Sequence, residues 1–171
     1  MFFFFSPTFS GANGAMEIIM TGEVKSVNIS EARGTQKNPK ETISLVVGYG
    51  IEGDAHGGDW HRQVSLLSNN KIEEFNAKGA GATYGEFAEN IVVHGIDFRS
   101  LPIGTTLQCN NSILEITQIG KTCHTHCQIY QKMNDCIMPR EGVFAKVIQN
   151  GNISVGDTMH ILYLAQETTH A

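Results

Sequence analysis

The chain has 171 residues, a formal net charge of −5, 41 % hydrophobic and 17 % charged residues, and 18 glycines. That length suits one domain able to bury most of the surface its unfolded chain would expose, with no need of disulfides. The acidic balance and the lack of a basic cluster interleaved with aromatics argue against nucleic acid as a partner. No run approaches the roughly 20 apolar residues of a membrane span.

Residues 1–15, Phe-rich and then rich in Gly, Ala and Asn, match no periodic element. The opening phenylalanine run lacks a basic flank, is too short for an export signal and is interrupted by Ser6-Pro7. Residues 1–15 therefore read as a leader, 16–165 as a single domain and 166–171 as a loose tail. With no export signal, four irregularly spaced cysteines (109, 123, 127 and 136) point to a reducing compartment and to thiol or metal chemistry.

A first strand is predicted within residues 17–29, where Val24, Val27 and Ile29 approach strand alternation. A polar loop over 31–39 leads to a second strand at 43–47 and then to a glycine-rich loop over 48–59. Asp54, His56, Asp59 and His61 in and beside that loop have metal-ligand chemistry, but a turn held by local hydrogen bonds is the commoner use of such residues. The glycine spacing fits neither a dinucleotide nor a P-loop fingerprint.

An apolar segment at 63–67 precedes a helix that Ser68 can cap and Gly79 can end, with Ile72 and Phe75 on its inner face. A strand at 91–93 follows. Strands at 105–109 and 113–119 join through Asn110-Asn111 as a hairpin, with Cys109 as a small buried hydrophobe. Pro139 can sit in the first turn of a helix whose apolar face carries Val143, Phe144, Val147 and Ile148, and a last strand spans 158–164. Six or seven strands and two helices make a mostly β (α+β) chain, with an antiparallel β-barrel and a few flanking helices as the economical architecture.

The chemistry concentrates where the second hairpin strand ends. Cys123 and Cys127 are flanked by His124 and His126, with Lys121 before them and Cys136 and Arg140 beyond. Neighbouring cations and imidazoles favour thiolate, so Cys123, Cys127 and Cys136 are candidate nucleophiles or soft metal ligands. Arg33, Lys37, Arg62, Lys121 and Arg140 all lie in loop-like segments and could draw in an anion.

These words of sequence, in order, resemble a MOSC domain, the module named after the C-terminal part of molybdenum-cofactor sulfurase. The resemblance covers residues 22–162 and rests on Arg33-Gly34-Thr35-Gln36-Lys37, on Gly50-Ile51-Glu52-Gly53-Asp54-Ala55-His56, and on Trp60-His61-Arg62-Gln63. It continues through Gly85-Glu86-Phe87-Ala88-Glu89-Asn90, Gln118-Ile119-Gly120-Lys121-Thr122-Cys123-His124 and Asp135-Cys136-Ile137-Met138-Pro139-Arg140. It implies a barrel-centred fold and a cytoplasmic role in molybdenum-cofactor or sulfur metabolism, with Cys123 as molybdenum ligand or persulfide carrier. Arg33, Lys37, Asp54, Arg62, His124 and Arg140 would contact the cofactor (molybdopterin), and His56 and Asn90 would orient the ligand or move protons.

Cys127 and Cys136 belong to the short stand-alone form of the family and would serve as resolving thiols. The chain is too short for a desulfurase domain, so pyridoxal phosphate would come only with a partner cysteine desulfurase. Molybdenum-cofactor biosynthesis proteins are the other partners implied. Alternative readings are a molybdenum-pterin reductase of N-hydroxylated compounds, a structural zinc module built on Cys123, Cys127, Cys136 and one histidine, and a non-catalytic small-ligand-binding barrel.

Overall fold

The computed structural model of the protein describes residues 20–123 and 126–166. The predicted leader, residues 17–19 of the first strand and nearly all of the tail lie outside the described residues. In chain order the strands are β1 (Thr21–Ile29), β2 (Asn38–Lys40), β3 (Thr42–Val46), β4 (Gly50–Ile51), β5 (Val64–Ser68), β6 (Ile91–His94), β7 (Thr106–Cys109), β8 (Ser112–Ile119), β9 (Val143–Gln149), β10 (Gly151–Ser154) and β11 (Thr158–Tyr163). The helices are α1 (Asn69–Asn76), α2 (Gln128–Met133) and α3 (Met138–Glu141), with one 3₁₀ turn at Phe98–Ser100.

Seven strands close a barrel in the order β1, β6, β5, β9, β8, β7, β11, and β11 returns to β1. The closing pair sets Thr21 opposite His160 and Glu23 opposite Thr158. Strand β2 pairs with the far end of β1, at Val27 to Ile29, and β10, β3 and β4 form a separate small sheet. The predicted barrel is therefore present. Its strands are antiparallel except for β5 and β6, which run parallel with α1 between them.

Strand β5 is buried at every position from Val64 to Ser68, because both faces of that parallel pair are covered. Leu66, Ile91 and Val93 point into the barrel with Val24, Val27, Ile116 and Val143. Leu67 and Val92 point outward, packed in a second cluster with Ile72 and Phe75 of α1 and with Ile137 and Met138 at the start of α3. In β1, Val24 and Val27 both face the interior although they are three residues apart, because a register shift between Val24 and Ser26 turns the strand.

The predicted helix over Val143 to Ile148 is a strand. Val143, Ala145 and Val147 line the barrel while Phe144 faces the outer core, so what reads as one helical face is two strand faces. Ser68 stands at the N-cap position of α1 but makes no side-chain capping bond, and α1 ends at Asn76, three residues before Gly79. Pro139 does occupy the first turn of a helix, the four-residue α3. Cys109 is 1 % exposed, and burial pushes its thiol up to about 12.

Candidate functional site

The site grows from one buried ion pair. After β1 the chain loops outward, and Lys37 returns beneath it to 1 % exposure. Its Nζ donates to Asp54 Oδ1 at 2.6 Å, to Ser30 Oγ at 3.3 Å and to His56 Nδ1 at 3.0 Å. Asp54, with its side chain fully buried, also accepts from the backbone N–H groups of Ser30 at 3.0 Å and His56 at 3.2 Å. The turn reading of the 48–59 loop is thus the one its geometry follows. Burial pulls the Lys37 pKa down while the adjacent Asp54 carboxylate holds it up.

An ammonium can only donate, so His56 Nδ1 must accept and its proton resides on Nε2. Burial, and then the Lys37 charge, pull the His56 pKa down from 6.5 to about 4. His56 is a neutral donor, locked in one tautomer, and it lines a cleft of about 230 Å³.

The cleft floor is the cross-strand pair Ser65 of β5 and Phe144 of β9. Arg33, Trp60, Arg62, Asn90 and Lys121 complete the parts of the wall that bear on its chemistry. Trp60 is held by its Nε1, which donates to His56 O at 2.8 Å. Arg33 and Arg62 lie over its ring at 5.2 and 4.8 Å, and Arg62 also reaches Phe144 at 5.6 Å. Arg62 Nε is buried and has no hydrogen-bond partner among the described residues. Its lining residues include three cations and no carboxylate, a positive lining of the kind that favours anions.

Asn90 is buried and serves chiefly as a fastener. Its Oδ1 accepts from Ser65 N at 3.0 Å and Ser65 Oγ at 3.1 Å, and its Nδ2 donates to Asn28 O at 2.9 Å. The preceding loop is fixed by Glu89, whose carboxylate accepts from the N–H groups of Gly85 at 2.6 Å and Phe87 at 3.1 Å. Burial pushes the Glu89 pKa from 4.5 up to about 7. Gly85 must be glycine: at φ +92° a Cβ there would sit 1.9 Å from Lys37 O.

Cys123 lies in an adjoining groove of about 410 Å³, which shares Lys121 with the cleft and holds Cys127, Tyr130, Cys136 and Arg140. Cys123 and Cys127 are exposed and Cys136 is buried. Burial pushes the Cys136 thiol up to about 11, and the neighbouring Cys127 and Cys123 push it the same way. Gly120 positions this segment: Gly120 N donates to Gly142 O at 2.7 Å and Lys121 N to Pro139 O at 2.9 Å.

The predicted site residues thus divide. His56, Arg33, Arg62 and Asn90 meet in the cleft, while Lys37 and Asp54 lie behind it and act through His56. Arg140 belongs to the thiol groove, where Asp135 holds it at 2.8 and 2.9 Å. His124 lies outside the described residues. Trp60, Ser65 and Phe144 were not among the candidates, although the proximity of Trp60 to Arg62 in the sequence was a usable sign of stacking. Among the described residues no group of three or more His, Cys, Asp or Glu side chains is placed to hold a metal ion, so the zinc reading finds no three-ligand set there.

A family model described as "MOSC domain" matches residues 52–160, more than half of the chain. The chain belongs to the MOSC domain family. Comparison with curated proteins gives no match. Among solved structures, the MOSC chain is similar to the YuaD protein of Bacillus subtilis, with a TM-score of 0.71 and 18 % identity over 86 % of this chain and 98 % of that one. It is also similar to YiiM from Geobacillus stearothermophilus (TM-score 0.63, 14 % identity, 83 % and 75 % covered) and to YiiM from Escherichia coli (0.61, 15 %, 86 % and 72 %). At such identities the likeness is one of fold. No helix among the described residues of this MOSC domain is long and apolar enough to cross a membrane.

Proposed function

We propose that this MOSC protein binds the molybdenum cofactor, with the cofactor's phosphate in the cationic cleft and Cys123 as the protein thiolate offered to the metal. The observation that supports this reading is the buried Arg62 Nε, a donor without a partner among the described residues, in a cleft whose charged lining residues are all cationic. A phosphate monoester supplies the acceptors such a wall lacks. Arg33, Arg62 and Lys121 would neutralise it, and His56 Nε2–H would add a donor whose protonation state does not change near neutral pH. Trp60 stiffens both arginines by stacking. When bound, the cofactor supplies a metal able to change oxidation state; the chain's residues hold it, orient it and shield its phosphate.

A second reading, Cys123 as a carrier of sulfane sulfur, is supported by its exposure at a groove open enough to meet a partner protein's persulfide. One experiment separates the two. Molybdenum and released pterin are measured per chain on protein from a cofactor-producing host, beside Arg62→Met and Cys123→Ala. Cofactor in the parent, strongly reduced in Arg62→Met and without molybdenum in Cys123→Ala, upholds the first reading. Absence of cofactor from the parent, together with a Cys123-dependent mass increase after incubation with a cysteine desulfurase and cysteine, upholds the second.

A further inference from the structure

The cofactor reading uses one thiol of the groove and leaves two. Cys127 and Cys136 stand at either end of a closed excursion of the chain. Cys127 precedes α2, its carbonyl accepts from Gln131 N at 3.0 Å, and α2 is pinned to the body by Lys132 Nζ, which donates to Ala80 O at 2.6 Å. At the far end Asn134 takes a left-handed conformation, φ 52° and ψ 29°, which reverses the chain. Cys136 then returns to the same groove as Cys127.

The return is fastened twice. Arg140 grips the Asp135 carboxylate and also donates to Cys136 O at 3.0 Å, while Cys136 N donates to Asp135 Oδ1 at 2.8 Å. Both thiols line the one groove, with Cys127 exposed and Cys136 buried. A packed cysteine needs none of these fasteners.

We propose that Cys127 and Cys136 are a redox-active dithiol that small thiol disulfides oxidise to an intramolecular disulfide, leaving Cys123 as the free thiol of the groove. The exposed Cys127 thiolate attacks one sulfur of a disulfide RSSR; a Cys127–SR bond forms, the S–S bond breaks and RS⁻ leaves. The Cys136 sulfur then attacks Cys127, expels the second RS⁻ and gives up its proton to it. Two protein thiols and RSSR become one protein disulfide and two RSH, so two electrons pass to the small disulfide, and excess RSH reverses the exchange. The product covalently closes the loop over α2 beside Cys123. The proposal needs no metal and stands apart from the cofactor reading.

The test uses the full chain, free of cofactor, equilibrated in glutathione buffers of increasing oxidised fraction, acid-quenched, denatured, alkylated and peptide-mapped. In the oxidised limit the parent should carry one Cys127–Cys136 cross-link, removed by dithiothreitol, with Cys109 alkylated and Cys123 outside the cross-link, either alkylated or carrying glutathione. Cys123→Ala should form the same cross-link, and Cys136→Ser should stop at a glutathione adduct on Cys127. A parent in which all four cysteines remain alkylatable overturns the proposal, and so does a cross-link that contains Cys123. The parent measurement decides the matter even if a variant fails to fold.

Discussion

Lys37 Nζ donates to His56 Nδ1 across 3.0 Å while it is ion-paired with Asp54 at 2.6 Å. A buried cation therefore sets the tautomer of a cleft histidine without touching the cleft. Lys37→Met removes that constraint and leaves the Asp54 carboxylate buried and unpaired. Stability should fall by about 3–5 kcal/mol, the usual cost of breaking a buried pair from one side. In the folded variant the His56 ring should titrate well above its parent value, by NMR. An unchanged His56 titration would remove Lys37 from the account of the site.

Buried Glu89 and half-buried His56 should oppose one another in the pH dependence of stability. Glu89 titrates at about 7 in the folded chain against an ordinary 4.5. Between those values the folded state keeps a proton that the unfolded state has released, so stability falls as pH rises. His56 titrates at about 4 against 6.5, so there the unfolded state holds the extra proton and stability rises with pH. The parent should be nearly flat between about pH 5 and 6.5. Urea midpoints should climb with pH in Glu89→Gln and decline with pH in His56→Gln; equal slopes in the two variants would contradict both assignments.

Thiol reactivity should follow burial. With folded, reduced protein, Cys123 and Cys127 should take up iodoacetamide in a first phase. Cys109, at 1 % exposure, and Cys136, at 8 %, should lag by at least about tenfold, since the thiolate is the reactive form and burial suppresses it. Peptide-resolved alkylation rates check this, and Cys136 reacting in the first phase would show that its burial does not protect it.

Gly120 should be intolerant of a side chain in a way that reads out at the site. At φ +69° a Cβ there would sit 2.5 Å from Pro139 O, so Gly120→Ala must push the segment bearing Lys121 and Cys123 away from α3. Anion affinity, measured with inorganic phosphate by calorimetry, should drop roughly tenfold, as one lost charge-assisted contact would give, while the barrel stays folded by circular dichroism. An unaltered phosphate affinity would release Lys121 from its role.

The barrel was legible because its strands carry β-branched residues in short runs between glycine and asparagine turns; the hairpin at Asn110-Asn111 is an instance, with Asn110 at φ 53°. Strand β9 was misread for a packing reason. Phe144 serves a second core outside the barrel, and Ala145, the inward residue between Val143 and Val147, is too small to mark a period of two. β2 and β4 have three and two residues, too few for any pattern. Helix α2 is held by Ile129 and by Lys132 at Ala80 O rather than by a long apolar stripe. At the site, His56, Arg33, Arg62 and Asn90 could be named from sequence. The burial of Lys37 behind them could not, because only the fold reveals that a lysine in a polar loop folds back onto an aspartate.

The barrel's seam has a consequence for how the protein is made. Thr21 to Glu23, among the first described residues to leave the ribosome, find their partners only when residues 158–160 have followed. Until then β1 and β7 each present an edge that β11 will cover, and such open edges invite pairing with other chains. Closure between residues so distant in sequence is slow. The newborn chain therefore passes through its most association-prone state just before synthesis of the last strand completes the ring.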